Sequence, residues 1–161
     1  MSEEDIIGEI EALLKKVDLK ESDFEKKEKV PGVKAPAHDK IVEEIDNYWS
    51  AKSPYLSRFS AYGIDFIGRK SSEGSILLAV EVDSGYWRAV ESCLKLADIR
   101  CPNKVWIYIT NEQRQYAKEN FEYTLKEIRK LLRIRNENKS EFGNFAAFLK
   151  TPRDFRKEVI F

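Results

Sequence analysis

The chain has 161 residues, with 28 Lys plus Arg against 28 Asp plus Glu and so no formal net charge. That length suits a domain with a real core, and the charge balance removes the positive excess by which a general nucleic-acid binder usually shows itself, leaving room only for a local basic face. No apolar run approaches the ~18 residues needed to cross a bilayer, the acidic start lacks the basic and apolar regions of a secretion signal, and the expectation is an intracellular protein with Cys93 and Cys101 as reduced core thiols.

Residues 3–17 put Ile6, Ile7, Ile10, Leu13, Leu14 and Val17 on one stripe behind Ser2 as cap, which predicts an amphipathic helix. Residues 18–37 alternate acids and bases with few apolar anchors, then give Val30-Pro31-Gly32 and Ala35-Pro36, and read as a linker or a wrapping segment. The expected division is therefore 1–37, a helix and charged linker, and 38–161, an α/β domain with C-terminal helices. From Asp39 to Ser50, Ile41, Ile45, Tyr48 and Trp49 mark a second helix whose other face carries Glu43 and Glu44; His38, just ahead of it, reads as a capping or surface group.

Residues 51–61 approach the first of three apolar runs, Ile64-Asp65-Phe66-Ile67, which ends at Gly68. The cluster Ser71-Ser72-Glu73-Gly74 turns the chain into the second, Ile76 to Asp83, and the short link predicts an antiparallel pair. The second run is almost unbroken Ile, Leu and Val, the pattern of a central strand covered on both faces. Ser84-Gly85 then opens a helix with Trp87, Val90, Leu94 and Ala97 on its inner face, closed by Cys101-Pro102-Asn103. Strand, helix and strand make a crossover, so the third run, Val105 to Ile109, is expected parallel to the second. Thr110 and Gln113 form a capping box for a long helix with Ala117, Phe121, Leu125, Ile128 and Leu132 inward. Its basic end, Arg129, Lys130, Arg133 and Arg135, complements the helix dipole, and residues 136–140 break it. Phe142, Phe145 and Phe148 imply further core contact, and Thr151-Pro152 with Asp154 reads as the start of a last helix. The fold class expected is α/β, a mixed central sheet flanked by helices.

The chemistry resides in acids that interrupt these runs. Side chains on a strand repeat every second residue, so Glu81 and Asp83 project from one face, and Asp65 interrupts the neighbouring run in the same way. A carboxylate taken into an apolar sheet costs several kcal/mol even after relaxation. A divalent cation, a basic side chain from the following helix, or a shared proton would offset that cost. The competing reading places the acids at strand ends, in solvent, paired with surface Lys or Arg.

A helix bearing Glu, an antiparallel strand pair bearing Asp and then Glu, a crossover helix and a third strand: over roughly residues 38–110 this order resembles the restriction-endonuclease-like superfamily, whose motif is written PD-(D/E)xK. Asp65 corresponds to the motif's Asp and Glu81-Val82-Asp83 to its (D/E)xK element, with Glu43 or Glu44 as the helix acid some members use. The resemblance implies phosphodiester hydrolysis of DNA, with Mg²⁺ or Mn²⁺ held by Asp65, Glu81 and Glu44. Where the pattern has Lys, this sequence has Asp83, which in that setting replaces a ligand or acts as a base on water. The missing cation is expected from Arg88 or Lys95 on the crossover helix, ahead of Lys70. Two other readings stand beside it: a catalytically inactive module of the same fold that binds nucleic acid or protein, and an unrelated α/β domain whose acids pair with Arg. A homodimer is compatible with the sequence and not fixed by it.

Overall fold

The fold, a computed structural model, describes residues 5–26, 33–52, 56–58, 63–69, 74–111, 114–134 and 143–160. In chain order the elements are α1 (Ile6–Lys16), α2 (Pro36–Lys52), β1 (Leu56–Arg58), β2 (Phe66–Arg69), β3 (Ile76–Asp83), α3 (Ala89–Ala97), β4 (Asn103–Ile109), α4 (Arg114–Ile134), β5 (Asn144–Lys150) and β6 (Phe155–Val159). The six strands form one mixed sheet in the order β1-β2-β3-β4-β5-β6. Pairing is antiparallel from β1 to β3, parallel through β3, β4 and β5, and antiparallel again from β5 to β6. The crossover expected between the second and third apolar runs is the α3 connection from β3 to β4.

Alternation along the strands sorts the side chains into two cores. Leu78, Val80 and Val82 of β3, with Val105, Ile107 and Ile109 of β4, bury against α1 and α2. On the opposite face Ala79, Trp106, Tyr108 and Phe145 pack with Ala89, Cys93 and Leu96 of α3 and Phe121, Leu125 and Ile128 of α4. The predicted inward face of α4 is the observed one, from Ala117 to Leu132. Both cysteines are free and buried. Asp5 caps α1 by accepting from the Gly8 N–H at 2.9 Å; Ser2 lies outside the described residues, as do Gln113, Arg135, residues 136–140 and Phe142. Among the described residues no helix is long and apolar enough to cross a membrane.

Four expectations are corrected. The N-terminal segment is no separate unit: α1, Val17 and Leu19 share a core with α2 and the sheet. A short edge strand, β1, precedes the first apolar run, and that run becomes regular strand only at Phe66, leaving Ile64 and Asp65 ahead of the ladder. No helix starts at Thr151: its Oγ1 accepts from the Arg153 and Asp154 N–H groups, and the chain turns back as β6. A hydroxyl ahead of a Pro serves a tight turn as well as a helix start, and the alternating Phe155–Val159 segment favours strand. Finally, Trp87 is 83% exposed. It sits in a 3-10 turn, Tyr86–Arg88, before α3 begins. The buried face of α3 is Ala89, Ser92, Cys93, Leu96 and Ala97, and all but Leu96 are small, which lets the helix lie close to Trp106 on the sheet.

Candidate functional site

The backbone ladder between β2 and β3 has Phe66 opposite Val80, so the next residues outward, Asp65 and Glu81, come opposite each other. There the ladder passes to side chains. The Asp65 N–H donates to Glu81 Oε1 at 2.9 Å, and the Val82 N–H donates to Asp65 Oδ2 at 2.8 Å. The two carboxylates thus take over backbone donors that would lack a partner inside the sheet.

Each acid also meets a basic group from a different layer. His38 of α2 is buried, with Nε2 3.3 Å from Asp65 Oδ1 and Nδ1 3.1 Å from Asp39 Oδ1. The Nε2 contact is a charge pairing off the line of a well-aligned hydrogen bond. From α3, Lys95 brings Nζ to 3.5 Å from Glu81 Oε2 and donates to the Gly63 carbonyl at 3.1 Å. Asp83 is tied to the α3–α4 side of the sheet: its Oδ2 accepts from the buried Trp106 Nε1 at 2.8 Å, and Ser92 hydrogen-bonds its carboxylate. A buried indole N–H needs such an acceptor, so Trp106 gives a local reason for an acid at the end of β3.

These surroundings push the carboxyls apart in proton affinity. Burial raises Asp65, but the His38 ring and the Val82 N–H outweigh it and hold the group below the usual aspartate range. Burial lowers His38, yet Asp65 and Asp39 at its two nitrogens leave it raised, towards imidazolium. Glu81 has the opposite balance: burial and the charge of Asp65 push it up to about 7 despite Lys95. Burial also raises Asp83, against the bonds from Trp106 and Ser92.

Of the residues singled out from sequence, Asp65, Glu81 and Lys95 come together, with Asp83 two residues along the same strand. Arg88 is exposed and, among the described residues, pairs with no acid. Glu43 and Glu44 are exposed, and Glu44 lines a groove between α1 and α2 with Glu9, Tyr48 and Lys52, away from Asp65. Lys70 lies outside the described residues. The residue that sequence reasoning missed is His38, expected at a surface or cap and found buried against Asp65. The signal was its spacing: His38, Ile41, Ile45 and Trp49 continue one inward stripe, because α2 starts at Pro36 rather than Asp39.

The chain is thus an α/β protein with a mixed, helix-flanked sheet, and a pair of facing acids at one strand end, each beside a base from a different helix layer. A scan against protein-family models and searches of curated proteins and of solved structures gave no match.

Proposed function

We propose that this chain is a divalent-metal-dependent phosphodiester hydrolase acting on nucleic acid, of restriction-endonuclease-like fold, with Asp65 and Glu81 as its acids and Lys95 as its cation. The observation that carries the reading is Lys95. The motif's own Lys position holds Asp83, and a lysine from the crossover helix stands instead 3.5 Å from the Glu81 carboxylate. The order α2, three antiparallel strands, α3 and a parallel β4 supports the same reading.

The donor set suits a hard ion of the magnesium type. Among the described residues no three His, Cys, Asp or Glu side chains are grouped as a metal cage, but Mg²⁺ commonly binds through one or two carboxylates and keeps several waters. Adjacent carboxylates, one of them holding its proton up to about 7, are also what a site built around a cation looks like without it. Asp65 and Glu81 would hold Mg²⁺ or Mn²⁺, and Glu44 is left out because it lines the α1–α2 groove. When bound, the ion supplies neutralisation of charge developing on the phosphate oxygens. Lys95 Nζ, held by the Gly63 carbonyl, is placed to orient the attacking water and to balance charge beside Glu81. His38 holds Asp65 ionised, and Asp83, bonded to Trp106 and Ser92, fixes the end of β3 against α3.

The test is cleavage of duplex, branched and single-stranded DNA in Mg²⁺ or Mn²⁺ by the wild type and by Glu81→Gln. Cleavage by the wild type that is abolished by Glu81→Gln, and reduced about 10²-fold by Lys95→Ala, is the expected result. Equal background from wild type and Glu81→Gln would sink the proposal. It would favour the inactive binding module, which has its own supporting observation: both Asp65 oxygens already face protein partners, Val82 N–H and His38.

A further inference from the structure

The chain carries no net charge, yet one groove of about 500 Å³ between α4 and β6 is strongly cationic. Lys126, Arg129, Lys130, Arg133 and Arg156 line it against two acids, Glu122 and Glu158. Arg156 takes both acids: its guanidinium lies 2.9 Å from Glu122 and 2.7 Å from Glu158. Glu122, one turn before Lys126 and its natural helical partner, is thereby drawn across the groove. Arg129 donates to the Val159 carbonyl at 2.6 Å, which fixes its guanidinium over β6 without neutralising it. Among the described residues none of the four cations on α4 pairs with a carboxylate.

Their spacing is that of a single helical face, with Lys126 and Lys130, and Arg129 and Arg133, four residues apart. Like charges at that spacing destabilise a helix. The helix dipole rewards cations in the last turn only, and that turn of α4 holds Arg133 alone. Lys126, Arg129 and Lys130 are left without a structural return, so the row fits a ligand.

The ligand must be an extended polyanion rather than one small anion. Each pair of cations is separated by a rise of about 6 Å along the helix, comparable to the step between consecutive phosphates of a nucleic-acid strand. Tyr123, 60% exposed, stands one turn before Lys126, and a ring at the rim of a cationic row suits a sugar or base better than an acidic peptide. The groove also has a direction. Strand register carries Asp83 across to Tyr108, Leu149 and Arg156, so Arg156 is level with the acid end of the sheet, three strand spacings or about 14 Å away. From there the row runs towards Val159, at the opposite end.

We infer that the α4–β6 groove docks the phosphodiester backbone of a polynucleotide, as a binding surface separate from the acid pair. Naming that polynucleotide the substrate rests on the hydrolase proposal above; the docking itself requires only binding.

The experiment is a titration in EDTA, so that no cleavage intervenes, of labelled duplex DNA, single-stranded DNA and single-stranded RNA, read by anisotropy at several salt concentrations. The wild type should bind, and the relative affinities separate the sources of the backbone. For duplex DNA, four phosphate contacts give a slope of about −3.6 in log affinity against log salt, a loss of about 150-fold from about 50 to 200 mM. Lys126→Gln with Lys130→Gln removes two contacts and should flatten the slope to about −1.8, a loss of about 12-fold. Lys16→Gln with Arg100→Gln removes the same charge from exposed positions elsewhere and should leave the wild-type slope. Far-UV circular dichroism and the thermal midpoint of both double variants should match the wild type. An unchanged slope in the groove variant, equal flattening in the control variant, or no binding of any strand overturns the inference. Displacement of duplex by poly-L-glutamate as readily as by unlabelled duplex would also overturn it, in favour of an acidic protein partner. Binding that flattens as expected, in a protein that never cleaves, would remove the hydrolase reading and keep the groove. Metal-dependent cleavage with an unchanged slope in the groove variant would do the reverse.

Discussion

Replacing Glu81 by Gln tests whether the acid pair is under electrostatic stress. The folded protein holds the Glu81 proton up to about 7, against an ordinary value of 4.5, chiefly through burial and then through Asp65. In the folded state the group binds its proton more tightly than in the unfolded chain, so its contribution is fully present below 4.5 and is lost as pH rises through about 7. At 1.36 kcal/mol per pKa unit, that interval corresponds to about 3 kcal/mol of stability lost on ionisation. Glutamine carries no charge to ionise, keeps an oxygen for the Asp65 N–H, and leaves the half-exposed Lys95 free to turn to solvent while still bonded to Gly63. In chelator, wild type and Glu81→Gln should unfold alike in urea at about pH 4.5, and the variant should be more stable by about 3 kcal/mol at about pH 8.5. For a chain of this size that is roughly 6–12 °C in thermal midpoint. Saturating Mg²⁺ should reverse the order by stabilising only the wild type. Equal stability of the two proteins at both pH values in chelator would show that the Glu81 charge is already well solvated or paired, and the electrostatic case for an ion site would go with it.

Two further outcomes follow from the same neighbourhood and can be read by chemical denaturation. His38 holds its proton more strongly folded than unfolded, so its contribution is present below 6.5 and fades as pH rises through the folded value; His38→Asn should cost about 1–3 kcal/mol at about pH 5.5 and visibly less at about pH 9, by loss of a charged partner for Asp65. Gly68→Ala would place a methyl 2.6 Å from Trp49 Cε2, where the buried indole lies on β2 with Nε1 bonded to the Arg69 carbonyl. It should destabilise by about 1–3 kcal/mol through overpacking, with Trp49 fluorescence shifted, and a neutral result would mean that the indole can slide off the strand.

The central sheet and its crossover were legible because they rest on long apolar runs, and long periodic signals survive the loss of tertiary context. The stripe of α4 was legible for the same reason. What failed were short or ambiguous signals. Thr151-Pro152 offers a hydroxyl acceptor to any N–H two or three residues on, and only the pairing of Phe155–Val159 with β5 decides between turn and helix. Trp87 fell on the spacing of α3 by coincidence, since helical periodicity has no meaning in a 3-10 turn ahead of the helix. In the site, the shared face of Glu81 and Asp83 followed from strand alternation, but the register that sets Asp65 opposite Glu81 and the part played by each base did not. Lys95 was one of several basic candidates, and Arg88, equally eligible by spacing, is turned to solvent. His38 was lost to a helix start placed three residues late.

Whether two acids at a strand end need an ion depends on what remains after the protein's own groups are counted. Asp65 is accounted for: a backbone N–H and an imidazole outweigh its burial and leave it more acidic than a free aspartate. Asp83 has the buried indole of Trp106 and the hydroxyl of Ser92, which explain its presence though not the whole of its desolvation. Glu81 is not accounted for. One N–H and a half-exposed lysine leave it holding a proton near neutrality, first because it is buried and then because the aspartate opposite, the better-paired of the two, keeps its charge. A sheet that merely needed its last donors capped would do better with Gln or Ser at that position, which accept the same hydrogen bond without ionising. The excess negative charge is therefore concentrated on one residue, beside the lysine that pairs with it. Uptake of a divalent ion there must displace the Glu81 proton, so the ion and the proton compete for one carboxylate, and affinity for Mg²⁺ should rise steeply with pH through about 7.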